Sequence, residues 1–245
     1  MQKKAPAHEA TPLRTNHAAK QPKPARPYHH GSLPDALLQA AEAVLRRDGL
    51  RGLTLRAIAR EAGVSHTAPQ HHFGDTAGVL SELAAIGHRR LAAAMTEHAH
   101  DMPQGKVRRK ATARGYIDFA LNNPDLFRLM SRNELLDPER PSLVEARRMS
   151  ARGLAGVFDP PLNEPSAAHD AFADLSAAQA VAMTAVWAYV HGLASLLIDN
   201  RLTRLADATD AFRDPLELVE AAIEQMEIAP DDSLSALTTA RKRHR

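Results

Sequence analysis

The stretch TLRAIAREAGVSHTAPQHHF, from Thr54 to Phe73, can bury its apolar residues in few ways. Leu55, Ile58, Ala59 and Ala62 recur at helical spacing, so one face of a short helix is apolar while Arg56, Arg60 and Glu61 stay in water. Gly63 stops that helix, because glycine takes the left-handed conformation that turns the chain, and Val64 fits the angle that results. Ser65 then serves as N-cap for a second short helix, His66 to about His72. That helix is polar along one side and needs a partner there. Two short helices across one tight turn are the arrangement in which the first braces on a phosphate backbone. The second sets its N-terminal side chains against base edges in the major groove.

The flanks extend the pattern. Ser32-Leu-Pro-Asp35 is a capping-box variant, after which Leu37, Ala41, Val44 and Leu45 form a buried stripe and Gly49 closes the helix. Beyond Phe73, Gly74 breaks the chain and Asp75 caps a longer helix whose Val79, Leu80, Leu83, Ile86, Gly87, Leu91 and Met95 run towards Pro103.

In order and spacing, these segments from about Ser32 to Arg90 resemble the DNA-binding head of the TetR family of transcriptional regulators: a threonine-capped short helix, an AGVS turn, and a recognition helix ending in HF. The resemblance implies that Thr54 and Arg56 meet the phosphate backbone. It places Ser65, His66, Thr67, Gln70 and His71 at the exposed start and side of the reading helix, with His72 and Phe73 anchoring it. Two positions depart from the family pattern. Gln70 stands where an aromatic, most often tyrosine, is usual, and Thr76 where a lysine is usual; both positions commonly serve the backbone.

The rest of the chain reads as helix. Aromatics make up 4% of 245 residues, alanine and leucine abound, and no run of β-branched residues alternates long enough for a strand. The expected fold is therefore all-α: a three-helix head over residues 31–77 and a helical bundle over 78–228. A proline-rich arm (1–30) and a tail (229–245) should be disordered. In the arm Lys3, Lys4, Arg14, Lys20, Lys23 and Arg26 oppose only Glu9, which fits either extra phosphate contact or a solubilising tail. It has no apolar core of the kind a signal peptide carries.

In the bundle, helices are expected over Val107 to Asn122, Leu126 to Ser131 behind an Asn123-Pro124-Asp125 cap, and Ser142 to Phe158. A loop over Asp159 to Leu175 and a capping box at Ser176-Ala-Ala-Gln179 follow. The next helix carries no charge up to Ile198, and its buried line is read as Ala180, Met183, Thr184, Trp187, His191, Ala194 and Ile198. It nears the ~20 residues of a membrane span, but Gln179, Thr184, His191, Gly192 and Ser195 fit a helix buried among helices, with no membrane. Asp214-Pro215 caps the last helix, with Leu216, Val219, Ile223 and Met226 inward.

Trp187-Ala-Tyr-Val-His191-Gly192 resembles the tryptophan, histidine and glycine signature of one class of TetR-like C-terminal domains, and NNPDLFRLM resembles the same class. The resemblance implies a small-molecule effector and a homodimer through the last two long helices. Tyr116, Phe119, Phe127, Met130, Met183, Trp187 and His191 are the expected effector contacts, around a pocket near Trp187; the alternative is ordinary core, with His191 a packed histidine holding one satisfied N–H. The whole reads as a cytoplasmic, dimeric repressor on palindromic double-stranded DNA, released by its effector. The rivals are an effector-independent architectural DNA binder and, from another class, a helical enzyme with a vestigial head.

Other chemistries find little support. Zero cysteines exclude disulfides, thiolate zinc sites and a cysteine nucleophile. Among thirteen histidines the clusters are His29/His30 and His71/His72, and neighbours on a helix point about 100° apart, so no metal site is expected. There is no G-x-S-x-G, HExxH, Walker or dinucleotide glycine pattern; no cofactor and no catalytic residue is expected.

Overall fold

Both halves of a capping box open the first helix, α1 (Leu33–Gly52): Asp35 N–H donates to Ser32 Oγ and Ser32 N–H to Asp35 Oδ2 at 3.2 Å. The computed structural model describes residues 32–155 and 177–226, and every regular element among them is a helix. The basic arm, the loop over Asp159 to Leu175, Ser176 of the expected capping box and the tail lie outside the described residues. Gly49 breaks α1 as expected, with φ 67°, but one more helical turn follows to Gly52.

In α2 (Leu55–Ala62) Thr54 Oγ1 accepts the Ala57 N–H at 3.1 Å, and Gly63 ends the helix in the left-handed region, φ 70° and ψ 30°. Val64 packs into the head core. The reading helix, α3 (Ala68–Phe73), begins later than Ser65 suggests. The cause is Pro69: it has no N–H to give Ser65, so Ala68 N–H takes the Ser65 carbonyl in a tighter turn, at 3.0 Å. Asp75 Oδ1 caps α4 (Thr76–Ala99) by accepting the Gly78 N–H at 2.8 Å.

Next come α5 (Lys106–Asn122), α6 (Pro124–Met130), a 3-10 turn at Asn133–Leu135 and α7 (Pro141–Ala155). Asn123 does not cap α6 with its side chain; its amide turns back and donates to the Phe119 carbonyl at 3.1 Å. The chain continues with α8 (Ala177–Ile198), α9 (Thr203–Ala206) and α10 (Pro215–Gln225), the last capped by Asp214 accepting the Glu217 N–H.

Two buried clusters hold these helices. One gathers Leu37, Val44, Leu45, Ile58, Val79 and Leu83 beneath the turn and runs on without a break into Leu129 of α6 and Leu143 of α7. The other joins Leu91 and Met95 of α4 to Tyr116, Ile117 and Phe119 of α5, Val186 and Val190 of α8, and Val219 and Ile223 of α10. At Gly115 a β-carbon would lie 2.5 Å from the Ala94 carbonyl oxygen, so this glycine lets α5 approach the α4 backbone. Arg114 Nε donates to Glu220 Oε2 at 2.7 Å, and Lys110 pairs with Glu224, tying α5 to α10.

The face of α8 differs from the expected one. Ala182, Met183, Val186, Val190, Ala194 and Leu197 are buried, whereas Ala180, Thr184 and Trp187 are exposed, Trp187 by 55%. The inward face is rotated by roughly one residue, ~100°. With no charge along the helix, hydrophobic spacing has nothing to mark the wet side. Leu216 of α10, expected inside, is likewise exposed, while Val219, Ile223 and Met226 are buried as expected. The segment Gln179–Ile198 has the length and mean hydropathy, 1.7, of a membrane span, yet its inward residues pack on α5 and α10.

Candidate nucleic-acid interface and internal cavity

On α3 the inward residues are Pro69 and Phe73, four apart, and the opposite side presents Thr67, Gln70 and His71 to solvent. His66, in the turn before the helix, is exposed on the same approach. His72 does not anchor the helix, as the resemblance implied; it is exposed, because it sits a residue's rotation away from the buried line through Phe73. Its ring meets that of His71 edge-on at 5.3 Å. Ser65 Oγ and Thr67 Oγ1 share a hydrogen bond of 2.9 Å, which fixes both hydroxyls at the start of the helix. The side chains of His66, Gln70 and His71 make no hydrogen bond within the described residues.

At the start of α2, the Thr54 hydroxyl oxygen is committed to its cap, while the exposed Arg56 guanidinium pairs with no acid among the described residues. The neighbouring Arg47 differs: Asp48 and Glu61 neutralise it. Arg56 therefore keeps its charge available to a phosphate beside the N-terminus of the helix.

Three ties bind this face to the rest, and none was legible in sequence. Arg140, just before α7, donates from Nε to Glu82 Oε1 of α4 at 2.6 Å, and its Nη1 reaches the Phe73 carbonyl at 3.5 Å. Ser81 Oγ accepts the Asp137 N–H at 2.8 Å. Arg90 of α4 grips Glu42 of α1 with two bonds, 2.6 and 2.9 Å, and Arg90 holds the Glu42 carboxyl below its ordinary range. The entrance to α7 and the end of the reading helix thus rest on the same turns of α4.

Of the expected effector contacts, the structure brings together Tyr116, Phe119, Phe127, Met183 and His191, as packed core. The Phe127 ring stacks on His191 at 5.0 Å and meets Tyr116 edge-on at 5.9 Å; the Tyr116 hydroxyl lies 3.0 Å from His191 Nδ1. Burial pushes the Tyr116 phenol up to about 12 and lowers His191, so both are neutral near pH 7. Met130 lies over Gly87, between the two clusters.

A cavity of about 340 Å³ opens elsewhere, between α4, α5 and α7, lined by Ala92, Met95, Thr96, Ala99, Arg108, Thr112, Met149, Arg152 and Gly153. None of the seven expected contacts lines it, so it is not the pocket near Trp187 that the sequence suggested. Close ring contacts fill the space among the aromatic residues, and Trp187 is turned outward. Met95 belongs to both the cavity wall and the aromatic cluster, which makes that cluster the cavity's backing. Among the described residues no three metal-binding side chains converge.

Two family models match the chain. Residues 37–83 match bacterial regulatory proteins of the tetR family, and residues 110–239 match the tetracyclin repressor-like C-terminal domain. Among solved structures, a protein of unknown function from Rhodococcus sp. RHA1 is 33% identical, with 81% of this chain and 95% of that one covered and a TM-score of 0.62. A bacterial regulatory protein of the tetR family from Rhodococcus RHA1 is 18% identical (80% and 97% covered, TM-score 0.52). The transcriptional regulator FadR from Bacillus subtilis, in complex with stearoyl-CoA, is 13% identical (81% and 99% covered, TM-score 0.55). No curated protein matches.

Proposed function

The chain belongs to the TetR family of transcriptional regulators, with its DNA-binding segment at the N-terminal end, and from this premise we propose that it is a homodimeric repressor released from a palindromic operator by a small-molecule effector. The observation that carries the reading is the outward side of α3. Thr67, Gln70 and His71 stand together in solvent, and among the described residues the side chains of Gln70 and His71 hold no hydrogen bond and no acid neutralises the neighbouring Arg56. In this reading Ser65, His66, Thr67, Gln70 and His71 meet the groove, and Thr54 and Arg56 meet the backbone.

The dimer forms through α8 and α10. Ala177, Val181, Thr184 and Ala188 make an exposed stripe along α8, flanked by Trp187, and Leu216 is exposed on α10. A two-fold axis would set two α3 helices at the spacing of half-sites, about 34 Å or its multiples.

The effector occupies the cavity between α4, α5 and α7, with Tyr116, Phe119, Phe127, Met183 and His191 behind it. The complex of FadR with stearoyl-CoA supports this reading. Filling the cavity favours an arrangement of α4 and α7 that moves Arg140, and with it the end of α3, out of register with the operator. The protein acts where the DNA is, in the cytoplasm, and catalyses no reaction.

The test is selection of DNA from a random pool by the full-length protein, followed by anisotropy of the selected duplex in the presence of a metabolite library. Enrichment of a two-fold symmetric sequence that a library member displaces is the expected result. Enrichment of no sequence, or of one that nothing displaces, refutes it.

A further inference from the structure

We propose that the cavity between α4, α5 and α7 takes an amphipathic organic anion, its acidic head on the Arg152 guanidinium and its apolar body against Met95 and Met149. The inference rests on the reading of this cavity as the effector site and adds the chemistry of the ligand.

Arg152 is the reason. Its Nε and Nη2 are closed off from solvent and donate to no acceptor among the described residues, and a ligand meets that edge once the side chain turns it into the cavity that Arg152 lines. A buried guanidinium edge without acceptors is costly, since each unmade hydrogen bond forfeits the solvation of a charged donor. Nε and Nη2 form one edge of the planar fork, the geometry that receives two oxygens of a carboxylate or phosphate at once. The second cation on the wall, Arg108, has no acidic partner among the described residues either. Among the described residues two arginines and no carboxylate line the cavity, a balance that favours an anion.

The remaining wall limits the rest of the molecule. Thr96 and Thr112 donate their hydroxyls to the carbonyls of Ala92 and Arg108 on their own helices, leaving lone pairs but no free donor towards the cavity. The other lining residues are Ala, Met and Gly. A ligand that satisfies this site brings negative charge at one end and hydrocarbon over the rest. At about 340 Å³ the cavity stands near the small end of the ~300–1,000 Å³ that ligand pockets span.

The shared chemistry is an acidic head with two coplanar oxygens, and the test separates its two sources. Full-length wild type, Arg152→Met and Arg152→Lys are titrated calorimetrically with sodium octanoate, octyl phosphate and neutral octanol. We expect one anion to bind wild type roughly tenfold or more tighter than octanol, the loss typical of a charge-assisted pair. Whichever anion wins names the head. Arg152→Met should abolish that preference while raising Tm, because it removes the unpaired donors and keeps an unbranched apolar stem; Arg152→Lys should keep part of the preference. Equal binding of octanol, an Arg152→Met protein that still prefers the anion, or no binding by any of the three overturns the proposal. Displacement of the selected DNA, followed in the same samples, reports on effector control separately. Anion binding at Arg152 without displacement upholds the site and counts against effector release, and displacement by a neutral compound indifferent to Arg152 does the reverse.

Discussion

Arg140 Nε and Glu82 Oε1 lie 2.6 Å apart, with four-fifths of each side chain withdrawn from water, and the same guanidinium reaches towards the carbonyl that ends the reading helix. One side chain thus touches the start of α7, the second turn of α4 and the end of α3. Breaking such a pair leaves a partly buried charge without a partner. Arg140→Ala is expected to cost about 2–3 kcal/mol in denaturant unfolding. The surviving protein should still bind its selected DNA but lose most of the effector response. An effector response equal to that of wild type would show that the pair only stabilises.

Acid should weaken the fold in two steps. Burial, and then the charge of Arg147, lower His88 to about 4 from an ordinary value of 6.5. Ser150 Oγ donates to the Arg147 carbonyl, so His88 Nδ1 carries the proton that bridges to Ser150, and the closed-off Nε2 is the site that would have to be protonated. The neutral ring is the folded form. Its contribution is complete above pH 6.5 and is lost as pH falls towards 4, by about 3 kcal/mol in all. Glu42, held low by Arg90, adds a loss only below the ordinary carboxylate range near 4.5. Urea unfolding of His88→Gln between pH 4.5 and 6.5 should give a flatter profile than wild type; parallel profiles would remove His88 as the cause.

Arg56→Ala and Gln70→Ala should separate backbone contact from base reading. Removing Arg56 is expected to weaken all sequences alike and to lower the slope of log affinity against log salt by nearly one unit, since it takes away one phosphate contact. Gln70 stands where the family places an aromatic that serves the backbone, so its loss should be equal on selected and random DNA. Randomised half-sites selected by Gln70→Ala check this. A changed preference at one base pair, with a loss of roughly 1–3 kcal/mol confined to the selected sequence, would make Gln70 a reader of adenine instead.

Val181 and Trp187 are each more than half exposed on α8. If they seat a second copy, Val181→Glu together with Trp187→Arg should turn a dimer into a monomer of 26.7 kDa in light scattering at micromolar concentration. The helix content should be unchanged, because neither side chain supports the core. A wild-type monomer, or a double variant that remains dimeric, would move the interface elsewhere.

The residues themselves determined the local architecture of the head. Ser32, Thr54 and Asp75 cap because their side-chain oxygens reach N–H groups three residues on, and Gly63 turns because it lacks a β-carbon, relations complete within a few residues. The exposed face of α3 follows from the same short range, since Pro69 and Phe73 mark the inward side four residues apart; only the delayed start at Ala68 and the outward His72 departed from expectation. Tertiary structure decided what depended on partners far along the chain. The chargeless α8 could bury any face, and only packing on α5 and α10 turned Val186 in and Trp187 out. Nothing in the order of residues distinguishes Arg140, which finds Glu82, from Arg152, whose Nε and Nη2 find no acceptor among the described residues. Both are arginines near the ends of one helix, and their difference arises because packing brings a carboxylate to one and closes an apolar wall around the other.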